Sequence, residues 1–141
     1  QVWEAAIFAT AKKVDNLIAV IDYNKKQIDG PLHEVMPLGD LKNKWESFGW
    51  QVLETDGNNV KELLAAMEQA KALTGKRKPV MVLMHTIMGK GVDFMEDRHQ
   101  WHGSPPNDAQ LQSALSQLEE TIGDYRSVTH CKSVDYNAFC F

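Results

Sequence analysis

Leu17-Ile18-Ala19-Val20-Ile21-Asp22 is the stretch that decides the fold. Five apolar residues in a row close on a carboxylate, with no polar residue alternating between them. A short run of this kind marks a strand buried on both faces, as in a parallel sheet. Upstream, residues 1–14 carry Val2, Ala5, Ala6, Phe8, Ala9 and Ala11 and end near Lys12 and Lys13. They read as a buried helix with cations in its last turn. Downstream, residues 24–36 have little periodicity, contain Gly30 and Pro31, and read as a loop leaving the carboxyl end of the strand. Residues 40–48 read as a short helix capped by Asp40, with Leu41, Trp45 and Phe48 on one face. Residues 50–54 form a second strand, and 56–59 a turn. A helix over 60–74 follows, with Asn59 and Glu62 at capping-box spacing. Its apolar face is Val60, Leu64 and Met67, with Leu63, Ala66 and Ala70 beside it. Residues 79–84 are the third strand, and 85–106 a second long loop. Asn107 and Gln110 open a last helix, with Leu111, Ala114, Leu115 and Leu118 on one side, ending by Gly123. The alternation α-β-α-β-α-β-α predicts an α/β fold, a parallel sheet sandwiched by helices.

Composition narrows the function. Of 141 residues, 43% are hydrophobic and 24% charged, which excludes a disordered or collagen-like chain. The formal net charge is −4, from 19 acidic and 15 basic residues. No basic surplus exists to neutralise a phosphodiester backbone, so a nucleic-acid partner is not expected. The longest apolar runs, 17–21 and 79–84, are too short to span a bilayer, so no membrane partner is expected. No charged-then-apolar leader stands at the start, and the expected compartment is the cytoplasm. Cys131 and Cys140 make neither a disulfide framework nor a zinc pattern. Residues 124–141 have no helical period and read as an irregular tail behind a domain over 1–123.

In an open parallel sheet, ligands bind outside the carboxyl ends of the strands. Both long loops leave such ends. In the first, Asn24 follows Asp22-Tyr23; its amide oxygen either joins carboxylate and phosphate oxygens around a hard cation such as Mg²⁺, or caps a turn. In the second, Met88-Gly89-Lys90-Gly91 is either an anion cradle of backbone N–H groups and a lysine, or a flexible turn. It is not a P-loop. Further on, His102 stands in Gln100-Trp101-His102-Gly103-Ser104-Pro105-Pro106. It is either a proton-transferring or phosphate-binding group on a stiff loop, or an exposed loop histidine.

Taken together, the segments resemble the thiamine-diphosphate-binding N-terminal region of transketolases. The resemblance rests on Gln1-Val2-Trp3-Glu4-Ala5-Ala6, Asp15–Lys25, Gln27-Ile28-Asp29-Gly30, Lys44–Trp50, Asp56-Gly57, Gly89-Lys90-Gly91-Val92 and Trp101-His102-Gly103-Ser104-Pro105. These run in order and at compatible spacing from Gln1 to about Glu120. The resemblance implies the C-terminal half of the diphosphate-binding domain. It implies Asn24 as side-chain ligand of a divalent metal, Mg²⁺ or Ca²⁺, and the backbone carbonyl of Lys26 as another ligand. It implies Ile28 and Met88 as apolar contacts near the thiazolium ring. His102 corresponds to a histidine at the cofactor diphosphate and near the substrate. Glu4 corresponds to a buried glutamate at the subunit interface.

The implied activity is transfer of a two-carbon ketol unit from a ketose phosphate to an aldose phosphate. The implied partners are sugar phosphates and a pyrimidine-binding domain or subunit, in a homodimer or a split heterotetramer. Deoxyxylulose-phosphate synthase, with a similar Gly-Lys-Gly segment, is the nearest alternative, and a non-catalytic fragment the more distant one. The family's Gly-Asp-Gly segment, whose aspartate ligates the metal, has no counterpart in this sequence. The chain therefore reads as part of a larger enzyme, inactive alone. With three strands, the sheet is expected to leave an edge unpaired or uncovered, and Trp3 and Trp101 to lack packing partners.

Overall fold

The computed structural model describes residues 1–118. The tail expected over 124–141 and both cysteines lie outside the described residues, while the last helix already ends at Gln117, before Gly123. In chain order the elements are α1 (Val2–Ala11), β1 (Ile18–Tyr23), β2 (Lys26–Gln27), β3 (Gly30–Pro31), α2 (Leu32–Val35), α3 (Leu41–Ser47), β4 (Gln51–Asp56), α4 (Val60–Leu73), β5 (Val80–His85), a 3-10 turn (His99–His102) and α5 (Asp108–Gln117).

The three main strands form one parallel sheet in the order β1-β5-β4. Ile18 pairs with Val80 and Tyr23 with His85 on one side; Gln51 and Asp56 pair with the same two residues on the other. Val80, Met81, Val82 and Leu83 are all at most 2% exposed. That is why the 79–84 run is apolar without alternation: the last strand among the described residues is the central one, covered on both faces. Met81 and Leu83 join Ala6 and Ala9 of α1 with Leu41 and Trp45 of α3 and Trp50. Val80 and Val82 pack on the opposite face against Ala66 and Ala70 of α4. The sheet is thus sandwiched by helices, as the alternation predicts.

Several expectations are corrected. β1, read as a strand buried on both faces, is an edge strand in which Val20 is 45% exposed. The others concern two helices and a loop. Of α1 only Ala6 and Ala9 are buried, while Val2, Ile7 and Phe8 are more than half exposed. The helix is apolar all round, but it meets the sheet along one narrow stripe of alanines. On α4, likewise, the buried stripe is Ala66 and Ala70, with Met67 and Leu73 partly buried, whereas Val60 and Leu64 are exposed. Small side chains let the helix approach Val80 and Val82 closely, so the larger residues are turned away. Finally, residues 24–36 are not irregular. Lys26 pairs with Pro31 and Gln27 with Gly30 in an antiparallel hairpin, with Ile28 and Asp29 as its two-residue loop. The one-turn helix α2 follows.

The N-caps form where expected, but the box at Asn59 does not close: Glu62 accepts from the Asn59 side-chain amide, and the Asn59 N–H goes to the Asp56 carbonyl. Asp40 accepts from the Asn43 N–H at 2.9 Å. Asn59 accepts from the N–H groups of Lys61 and Glu62. Asn107 and Gln110 form a reciprocal capping box, each side chain bonding the other's backbone N–H at 2.9 Å. Trp3 and Trp101, contrary to expectation, have partners. Trp3 lies 5.5 Å from the Trp45 ring and 5.7 Å from Phe48. Trp101 lies 5.3 Å from Phe94 and donates to its carbonyl at 2.9 Å. No helix among the described residues is long and apolar enough to cross a membrane.

Candidate functional site

Because the strands are parallel and in register, Tyr23, Asp56 and His85 end side by side. The residues just beyond them lace this edge together. Thr86 donates its hydroxyl to the Asp22 carboxylate. The Ile87 N–H donates to the Asn58 amide oxygen at 2.7 Å. The Gly57 N–H donates to the His85 carbonyl at 2.9 Å. A Cβ on Gly57 would lie 2.5 Å from Thr86 and 2.8 Å from Met84, so only glycine fits this crossing. On the face shared with α3, His85 Nε2 lies 2.9 Å from Glu54 Oε2, and Lys42 Nζ lies 3.1 Å from Glu54 Oε1. The bond from His85, then that from Lys42, holds the Glu54 carboxyl below its ordinary value of 4.5. The Tyr23 ring meets the His85 ring edge-on at 5.7 Å. Sequence reading missed this group; its only signal was a histidine closing an apolar strand.

The first loop starts from this edge. Asn24 Oδ1 accepts the Lys26 N–H at 2.9 Å, so the turn-capping reading of Asn24 is realised. The second lone pair of that oxygen is left for another donor or a cation. Lys25 between them has φ 60°, and its carbonyl accepts the Leu32 N–H at 2.9 Å. A cavity of about 320 Å³ opens here, lined by Asp22, Asn24, Lys26 and Gln27 on its polar side and by Leu32 and Leu38 on its apolar side. The buried Gln27 Nε2 has no hydrogen-bond partner among the described residues. Ile28, at the hairpin tip, is 70% exposed.

The second loop is folded on itself. Gly89 has φ 67°, and a Cβ there would meet the Met95 carbonyl oxygen at 2.6 Å. The Gly89-Lys90-Gly91 turn does hold an anion, and the anion is the chain's own Glu96. Its Oε1 lies 3.1 Å from Lys90 Nζ, and its Oε2 accepts the Gly91 N–H at 3.2 Å. The Gly91 N–H, then Lys90, lowers the Glu96 pKa. The Met88 side chain is half-buried, and its carbonyl accepts the Asp97 N–H at 2.8 Å.

The structure brings the two loops into contact. The β2–β3 hairpin packs against the 3-10 turn that carries His102. Lys26 Nζ lies 3.0 Å from Asp97 Oδ1, its side chain only 14% exposed. His102 itself is exposed and lines neither this cavity nor the open depression of about 590 Å³ along Asp97–Trp101 and Ser104. Glu4 is exposed on α1 and lines neither cavity. Among the described residues no group of three or more His, Cys, Asp or Glu side chains is arranged to hold a metal.

The donor chemistry fits one side of a metal–diphosphate site. An amide oxygen and a strand-end carboxylate, Asn24 and Asp22, suit a hard cation. The unpaired amide of Gln27 suits an anionic oxygen, while the Lys26 ammonium is already held by Asp97. Of the oxygens expected to hold the metal, Asn24 is the one side chain here.

Comparison with known proteins follows the same lines. Residues 2–122 match the family model for the thiamine diphosphate binding domain of transketolase. The chain is 45% identical over 120 residues to the 6-deoxy-6-sulfo-D-fructose transketolase subunit SqwG of Clostridium sp. (strain MSTE9), covering 85% of this chain and 43% of that protein. It is 36% identical to an apulose-4-phosphate transketolase subunit of Phocaeicola vulgatus, covering 86% of this chain and 42% of that protein. The crystal structure of Campylobacter jejuni transketolase superposes with a TM-score of 0.73 at 30% identity, over 82% of this chain and 18% of that one. The chain thus spans less than half of the curated relatives it matches. Fold, residue pattern and family model agree: the chain belongs to the transketolase family, as a stretch of its thiamine-diphosphate-binding domain.

Proposed function

We propose that this chain supplies the metal–diphosphate side of a transketolase site, in an enzyme that moves a two-carbon ketol unit from a ketose phosphate to an aldose phosphate. The observation that carries the reading is the meeting of the Asn24 loop and the Met88–His102 loop at the carboxyl edge of the sheet, in a chain of this family. When bound, thiamine diphosphate serves as electron sink for the carbon–carbon cleavage.

The chain's own residues bind and orient. Asn24 Oδ1 and the Lys26 carbonyl ligate the divalent metal, Mg²⁺ or Ca²⁺. Gln27 donates its unpaired amide to a diphosphate oxygen. Met88 and Ile28 cover the apolar part of the cofactor, and the exposure of Ile28 supports a role met only once cofactor or partner is bound. His102 gives or takes a proton at the substrate oxygen. Glu4 lies on the exposed apolar side of α1, a surface that suits a subunit interface.

Relatives named as subunits support a partner subunit or domain that carries the pyrimidine side, in a homodimer or split heterotetramer. The relatives' names support sugar derivatives ending in phosphate or sulfonate as substrates. The described chain alone is expected to transfer no ketol units.

The test is reconstitution. The complete protein, with its partner subunit if it is split, is assayed for two-carbon transfer from ketose phosphates and from 6-deoxy-6-sulfo-D-fructose, with and without His102→Ala. Transfer that needs thiamine diphosphate and drops at least about a hundredfold in the variant supports the reading. Transfer unaffected by the variant removes His102 from the chemistry, and no transfer by any donor overturns the reading.

A further inference from the structure

We propose that Asp97 is a positioning residue, which, through Lys26, fixes the metal-binding turn against the loop that carries Met88 and His102. The inference rests on the reading of the site given above and deepens it.

Asp97 makes two contacts with different loops. Its backbone N–H is held by the Met88 carbonyl at 2.8 Å, which closes the 88–97 segment. Its carboxylate lies 3.0 Å from Lys26 Nζ. Lys26 in turn gives its own N–H to Asn24 Oδ1 at 2.9 Å. A continuous line of bonds therefore runs Asn24–Lys26–Asp97–Met88, from the amide oxygen that faces the metal to a residue beside the cofactor ring.

Two further observations show that this line carries a constraint. A hairpin with two residues per strand is not stable by itself and takes its position from tertiary contacts. The Lys26 side chain, almost covered, is the charged contact of β2–β3 with the second loop. Among the described residues four that are not glycine have left-handed backbones, and two of them stand at this contact: Lys25 at φ 60° and Asp97 at φ 59°. Such conformations persist where the surroundings enforce them, and they gather at sites that need fixed geometry. Aspartate is among the residues that tolerate that backbone, and it also supplies the charge.

The test uses the complete protein with its partner subunit if it is split, and four variants: Asp97→Asn, Lys26→Met, the double variant, and Asn24→Ala. Asparagine tolerates the same backbone as aspartate, so Asp97→Asn removes charge without adding strain. Two readouts are taken: calorimetric affinity for thiamine diphosphate with Mg²⁺, and hydrogen exchange of the 87–98 amides without cofactor. Each single variant at Asp97 or Lys26 is expected to weaken cofactor affinity about fivefold and to speed exchange. The double variant should be no worse than either single one, and the KM for sugar should not move in the Asp97 and Lys26 variants. Additive losses, or cofactor affinity unchanged in Asp97→Asn while Asn24→Ala loses it, overturn the proposal and leave the site reading intact. Affinity unchanged in Asn24→Ala as well overturns both, with hydrogen exchange then reporting on the loop contact alone.

Discussion

His85 Nε2 and Glu54 Oε2 lie 2.9 Å apart, tying the central strand to its neighbour at the edge where both long loops begin. Lys42 reaches the other oxygen of the same carboxylate at 3.1 Å. The folded state therefore favours ionised Glu54, whose pKa falls below 4.5 through His85 first and Lys42 second. A depressed carboxylate stabilises the fold fully above its unfolded pKa, and loses that contribution as pH falls through the folded value. Glu54→Gln should thus lower thermal stability at neutral pH by up to about 1 kcal/mol, the screened worth of a part-exposed pair. The gap between variant and wild type should close as the pH is taken below 4.5. Melting curves from pH 7 to pH 3 check this; a gap that widens in acid contradicts it.

Gly89 and Gly75 make a controlled pair. Both have left-handed backbones, φ 67° and 75°, but a Cβ on Gly89 strikes the Met95 carbonyl while a Cβ on Gly75 meets nothing within 4 Å. Gly75→Ala should cost about 1 kcal/mol of backbone strain alone. Gly89→Ala should cost more, about 2–3 kcal/mol, and also displace Met88. Chemical denaturation of the two variants gives the comparison, and equal costs would remove the clash from the account.

Trp50 joins two elements through one bond. Its Nε1–H donates to the Ala6 carbonyl at 3.0 Å, and its ring meets Trp45 edge-on at 4.9 Å. Trp50→Phe should lose about 1 kcal/mol, the bond alone, because the Ala6 carbonyl keeps the Thr10 hydroxyl at 3.3 Å. Leu83→Ala, in the centre of the same cluster, should lose about 3–4 kcal/mol. Urea midpoints of both variants test the order; a larger loss for Trp50→Phe would contradict it.

The apolar side of α1, with Val2, Ile7 and Phe8 exposed, calls for cover. The described chain in isolation should self-associate or aggregate, and Phe8→Lys should reduce this. Sedimentation velocity reads the outcome, and a monomer with cooperative unfolding at high concentration would contradict it.

How much of this was legible depends on the length over which a pattern repeats. β1, β5 and the caps were, because apolar runs of five or six residues and Asp40, Asn59 and Asn107 at helix starts act locally. The β2–β3 hairpin was not, since two residues per strand show no period. The buried stripe of α4 was misjudged because apolarity ranks Leu64 above Ala66, whereas close packing on Val82 selects the alanine. Asn24 was flagged as a strand-end amide, and the Gly89-Lys90-Gly91 turn as an anion cradle. That the anion is Glu96, that Lys26 meets Asp97, and that Glu54 meets His85 are tertiary facts that no spacing encodes.

The most direct test of the central claim is calorimetric titration of thiamine diphosphate with Mg²⁺ into the complete protein and into its Asn24→Ala variant. The account predicts that the variant binds at least about tenfold more weakly, and that the loss is partly recovered at high Mg²⁺. Equal affinity for both proteins would show that the metal and diphosphate are held without Asn24, and would contradict the site described above.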